Sequence, residues 1–125
     1  MSRPNDLPLY LATYKLVKYL YLLVRNFPKS YKYTLGQSIL DLAWETLDLI
    51  ILANNLPNRE KPEPILQASV AFDRLKIRLR MAHEIKFINH KRQAFLMEQN
   101  LEIGRMLAGW LRWARLTESK LAEKS

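Results

Sequence analysis

The chain has no cysteine, three glycines and two histidines among 125 residues. Without cysteine there are no disulfides and no thiolate metal sites, which fits a reducing compartment and an expected cytoplasmic location. The glycines, Gly36, Gly104 and Gly109, all fall inside helical patterns, so no Gly-rich phosphate loop exists. His83 and His90 lie seven apart, and neither has an acidic partner at triad-like or metal-like spacing. The Glu-x-x-His motif of di-iron bundles is missing, because Phe87 follows Glu84 by three residues. No uncharged apolar run approaches the roughly 20 residues that cross a bilayer. The opening MSRPNDLP, with Pro4 and Pro8, is polar rather than a charged segment followed by an apolar one, so no secretory leader is expected. No tract alternates like a strand, and no internal repeat appears. These absences leave no metal, cofactor or catalytic constellation to nominate.

What the chain does have is positive charge and helical periodicity. Twenty basic against twelve acidic residues give +8, a balance that predisposes a small protein to polyanions. The alternative is that Lys and Arg only solvate outer helix faces. Asp6 is a candidate N-cap, and a helix over 7–27 buries Leu9, Leu16, Leu20, Leu23 and Phe27. Pro28 stops it, and the short turn folds a second helix back over 30–55. That helix carries Leu35, Ile39, Leu42, Thr46, Leu49 and Ala53 on one face. Leu40, Trp44, Leu47 and Ile51 line a neighbouring face. Asp41, Glu45 and Asp48 form an acidic ridge, which either meets a basic ridge or faces solvent. Residues 54–64, NNLPNREKPEP, read as the one loop.

A third helix over 64–89 has two apolar stripes. One is Ala68, Phe72, Leu75, Leu79 and Ala82; the other is Leu66, Val70, Ile77, Met81 and Ile88. Two buried sides call for a second neighbour, either another subunit or a broad arc within one bundle. A fourth helix over 91–117 presents Leu96, Ile103, Leu107, Trp110 and Ala114 on one face, and the remaining TESKLAEKS reads as a fraying tail. Interior glycines in a helix ask for close approach: Gly104 and Ala108 leave a shallow groove beside Trp110 and Trp113. The fold class is therefore all-α, a single up-down-up-down antiparallel four-helix bundle. Val70, Ile77, Met81, Gly104, Ala108 and Trp113 are the candidate oligomer interface.

The candidate nucleic-acid-binding residues are basic. Lys15, Lys18 and Arg25 share a face of the first helix beside Tyr10, Tyr14 and Tyr21, and Lys29 and Lys32 follow near Tyr31 and Tyr33. Arg74 and Arg78 are one helical turn apart, as are Lys76 and Arg80; Arg105 and Arg112 align on the last helix. The i, i+4 basic pairs are read as lacking acidic neighbours at that spacing. Cations neutralise phosphates and aromatic rings stack on bases, while tyrosines at helical spacing also serve as half-buried packing. A membrane-surface role is the weaker competitor, because the apolar faces are committed to a core.

Two segments carry a resemblance. NFPKSYKYTLGQSI over 26–39 and LEIGRMLAGW over 101–110 resemble the accessory variability determinant (Avd) family of diversity-generating retroelements. The matching features are a Phe-Pro-Lys turn followed by Thr-Leu-Gly-Gln, then Ile-Gly-Arg-Met-Leu-small-Gly-Trp. The resemblance implies a four-helix bundle in a ring-like homopentamer with a positive surface. It also implies association with the element's reverse transcriptase and with template RNA or its cDNA hybrid. The expected role is to support mutagenic reverse transcription and retrohoming without being an enzyme. A related family, encoded in intervening sequences of bacterial large-subunit rRNA, ranks second: it carries a Ser-rich stretch ending in Ala-Glu-Gly, where this chain reads LAWETLDLIILANN.

Overall fold

A computed structural model describes residues 6–124 of the chain, and the side chains of 6–123. The expectation at Pro4 lies outside the described residues. Helix α1 spans Leu7–Arg25. Asp6 caps it by accepting from the Leu9 N–H at 3.1 Å, and the Asn54 side-chain oxygen accepts from the Asp6 N–H at 2.7 Å. This ties the start of α1 to the end of the next helix. The helix stops at Arg25, two residues before the expected end. The Asn26 and Phe27 N–H groups then close onto the Leu23 and Val24 carbonyls, and Pro28 redirects the chain.

Helix α2 comprises Lys29–Tyr31, a π-type segment Lys32–Gly36 and Gln37–Asn55. The widened turn marks where α2 presses on α1. A Cβ on Gly36 would lie 2.6 Å from Val24 Cγ1, so only glycine fits. The close approach expected at the glycines of the last helix is instead found here. A Cβ on Gly104 would make an ordinary 3.9 Å contact with Phe72, and one on Gly109 would meet nothing.

Helix α3 spans Pro62–Glu84 and α4 spans His90–Lys124. The expected eleven-residue loop shrinks to residues 56–61, half of it a 3-10 turn over Asn58–Glu60. Lys61 pins it. This lysine is 1% exposed, and its Nζ donates to the Ala53 carbonyl at 2.6 Å and the Asn54 carbonyl at 3.3 Å. The side chain thus caps the last carbonyls of α2, sharing Ala53 with the Leu56 N–H at 3.3 Å.

Helix α3 ends five residues earlier than expected. Lys86 takes φ 71°, its N–H bonds to the His83 carbonyl, and the Phe87 N–H reaches back to Ala82 at 2.9 Å. That is a Schellman stop made without glycine. Asn89 then caps α4 through Arg92 N–H at 2.9 Å. At its other end α4 runs seven residues past the expected Thr117. Lys120, Leu121, Ala122, Glu123 and Lys124 are all good helix formers, and propensity carries the polar tail.

Each helix packs chiefly on the next, and α4 closes against α1. The result is an all-α, antiparallel four-helix bundle. Its core contains Leu9, Leu20, Ile39, Ile50, Ile65, Leu75 and Trp110, each fully buried. Thr13 and Thr46 are also buried, and each hydroxyl donates to the carbonyl one turn back at 2.8 Å. Aromatic contacts fasten the end that carries both short turns: Phe27 and Tyr31 lie 5.4 and 4.8 Å from Phe87. The last core residue of α4 is Ala114, so its final ten residues extend about 15 Å further. Among the described residues, no helix is long and apolar enough to cross a membrane.

Candidate nucleic-acid interface

The nominated cations fall into two groups. Lys15, Lys18 and Arg25 are exposed on the outer face of α1, with Lys29 and a half-buried Lys32 after the turn. None of these five has a carboxylate in ion-pair reach among the described residues. Lys18 Nζ sits 5.5 Å from the Tyr14 ring, and Tyr14 stacks on Tyr10 at 6.1 Å. Tyr21 and Trp44 meet at the α1–α2 seam, where the indole N–H donates to the phenol oxygen at 2.8 Å. The tyrosines on this face are thus partly spent on packing.

The second group sits on α3 and α4 and is interleaved with acids. Lys76 pairs with Asp73 at 3.2 Å, Arg80 with Glu84 at 3.2 Å and Arg105 with Glu102 at 3.0 Å. The expectation that the basic pairs lack acidic neighbours is corrected here: Glu84 stands one turn from Arg80. Arg74 reaches Glu45 of the acidic ridge at 4.0 Å, and Arg78 Nε donates to Ser38 Oγ at 3.2 Å. These two therefore point toward α2. Lys76 and Arg80 point toward α4, so the four cations of α3 do not form one patch. Arg112 is exposed and bears no carboxylate partner among the described residues.

Between α3 and α4 runs a groove of about 860 Å³. Lys76, Arg80 and Arg105 rim it, Met97 and Leu101 form its wall, and Gly104 lies in its floor above Phe72. His83 and His90 meet at its end with Nε2 and Nδ1 3.1 Å apart. One ring donates and the other accepts, so the contact needs at least one neutral imidazole. This pair is missed in the sequence because the two residues belong to different helices, joined by the α3–α4 turn. Gln93 and Asn100 also line the groove, and their side-chain oxygens are buried with no hydrogen-bond partner among the described residues. Their seven-residue spacing on α4 is the only sequence signal for them.

The candidate interface residues are similarly divided. Val70, Ile77 and Met81 are 51%, 62% and 53% exposed, forming an uncovered stripe on α3 with Leu66 at its margin. Ile88 does not belong to it: it follows the helix end and is buried in the core. Ala108 is exposed, Gly104 half-buried, and Trp113 packs against the core edge. Trp44 and Ile51, read on one face with Leu40 and Leu47, remain more than a third exposed while those two leucines are buried. Among the described residues, no group of three or more His, Asp or Glu side chains is placed to hold a metal ion. Burial pushes the Lys61 ammonium below its ordinary range by stripping its hydration.

A family profile described as bAvd-like matches residues 10–114. The chain belongs to the bAvd-like family. No curated protein and no solved structure matches it. The bAvd-like match ends at Ala114, the last core residue of α4. It includes all of the nominated cations and interface residues, the Gly36 contact, the Lys61 plug and the α3–α4 groove.

Proposed function

We propose that this bAvd-like protein is a non-enzymatic accessory factor of a diversity-generating retroelement. It self-associates, binds nucleic acid and acts with the element's reverse transcriptase in mutagenic copying of template RNA. The single observation that carries the proposal is the bAvd-like match over 10–114, joined to a net charge of +8. The homopentamer belongs to the same proposal and comes from the family resemblance.

The nucleic-acid surface we assign is the outer side of α3 and α4, in two patches: Arg74 and Arg78 toward α2, and the other four cations at α4. Five of its six nominated cations are arginines: Arg74, Arg78, Arg80, Arg105 and Arg112, with Lys76. A guanidinium fork matches a phosphate's oxygens better than an ammonium does. The ion pairs there are exposed, with net worth of about 0–1 kcal/mol each, so a phosphate can displace the carboxylates. With no base-reading motif, binding is phosphate-dominated and sequence-tolerant.

The test is fluorescence anisotropy of a labelled RNA–DNA hybrid with the purified protein across salt concentrations. The expected result is a log-linear fall in affinity between roughly 50 and 200 mM salt, weakened further by Arg74→Ala with Arg78→Ala at unchanged assembly mass. Absence of binding at low salt rejects the nucleic-acid role. A protein-adaptor reading is favoured by the uncovered Val70, Ile77 and Met81 stripe. It predicts reverse-transcriptase association that survives nuclease treatment without any RNA or DNA affinity.

A further inference from the structure

Charge is sorted along the first half of the chain. Residues 7–40 contain Lys15, Lys18, Arg25, Lys29 and Lys32 and no acid; residues 33–58 contain Asp41, Glu45 and Asp48 and no Lys or Arg. The structure turns both sets outward on neighbouring helices. On α1 the exposed strip is Leu11, Lys15, Lys18, Leu22 and Arg25; on α2 it is Asp41, Glu45, Asp48 and Leu52. The leucines are substantial apolar surface: Leu11, Leu22 and Leu52 are 46%, 54% and 48% exposed. Neither strip is neutralised by the other within one bundle. The α1 cations have no carboxylate partner among the described residues, Asp41 holds only the Gln37 amide at 2.8 Å, and Glu45 is 4.0 Å from Arg74.

The strips share one spacing. Rising from Leu11, the steps are four, three and four to Leu22; falling from Leu52, they are four, three and four to Asp41. Such 4-3-4 steps keep residues in line along a helix and suit side-by-side helix packing. We propose that the acidic strip of α2 docks the basic strip of α1 from a second copy of this chain, with the bundles side by side and the two helices antiparallel. The register opposes Leu11 to Leu52, Lys15 to Asp48 and Lys18 to Glu45, and brings Arg25 near Asp41. Opposite charges steer and register the contact, and the leucines supply buried area. The proposal rests on the self-association proposed above and moves Lys15, Lys18 and Arg25 from nucleic-acid contact to subunit contact.

Three variants test it by light scattering at micromolar concentration, with helicity checked by circular dichroism. Lys15→Glu with Lys18→Glu and Arg25→Glu, and separately Asp41→Lys with Glu45→Lys and Asp48→Lys, are each expected to weaken association at least about tenfold. The chain carrying all six reversals regains it. A second experiment uses the absence of native cysteine. Leu11→Cys chains co-expressed with Leu52→Cys chains should cross-link on mild oxidation, whereas either alone should not. Wild-type mass in both triple variants, with no cross-link, overturns this interface while self-association stands. So does unchanged mass with lost RNA binding in the α1 variant, which would return the strip to nucleic acid. A monomeric wild-type protein instead defeats the self-association on which the inference rests.

Discussion

Both halves of the bundle are net positive, but their charges are arranged in opposite ways. On α1 and α2 the signs are segregated: the cations come first, the acids second, and each set faces outward. On α3 and α4 the signs are mixed, and Lys76, Arg80 and Arg105 each find a carboxylate three or four residues away. Segregated charge keeps its field until an oppositely charged surface arrives, so it selects a complementary helix. Mixed charge is locally screened and becomes available when a denser anion such as a phosphate backbone competes for it. Net charge alone says nothing of this difference in arrangement.

That comparison presumes one shared core, and the largest expected effect tests it. Trp110 is fully buried. Trp110→Ala should cost about 3–5 kcal/mol, read as a large fall in the urea midpoint. A small loss would mean that α4 is not integral to the bundle.

The glycines sharpen the contrast between the halves. Gly36→Ala drives a Cβ to within 2.6 Å of Val24 Cγ1 and should destabilise by about 1–3 kcal/mol. Gly109→Ala meets nothing and should stabilise by about 0.5–1 kcal/mol through helix propensity. Thermal unfolding of the two variants should therefore shift in opposite directions. Equal shifts would break the claim that only the α1–α2 crossing demands glycine.

Lys61 gives the next effect. Lys61→Met removes the ammonium donor from the Ala53 and Asn54 carbonyls, leaving Ala53 only the Leu56 N–H at 3.3 Å, at about 1–3 kcal/mol. Because burial lowers the lysine's pKa in the fold, the unfolded chain holds its proton more tightly. This lysine's contribution to stability should therefore rise with pH, from the lowered folded value up to the ordinary 10.5. Denaturation of wild type and variant along an alkaline pH series reads that slope directly. The smallest effect belongs to the mixed half: Glu84→Gln should change stability by less than about 1 kcal/mol while strengthening hybrid binding by freeing Arg80. Unchanged binding would place Arg80 off the nucleic-acid surface.

Sequence periodicity was enough to assign one core stripe on each of α1, α3 and α4, because burial follows a 3.6-residue repeat that each helix writes locally. Leu96, Ile103, Leu107, Trp110 and Ala114 are legible at steps of three, four and seven, and each is buried. Asp6 was readable as a cap for the same reason: the capping bond spans three residues. Helix ends were less legible. The α3 stop at Lys86 uses a residue that favours helix by propensity, and only the left-handed backbone of the turn reveals it.

Composition and local pattern by themselves determined the all-α class, the net positive charge, the first apolar stripes and the family motifs, since each depends on residue counts or on neighbours within a turn or two. Tertiary structure alone decided the contacts between distant segments. It placed Lys61 under the end of α2, His83 against His90, Gly36 against Val24 and Arg74 beside Glu45. Those contacts depend on how the helices are rotated and levelled against each other, which the packing of the whole core sets and no single helix encodes.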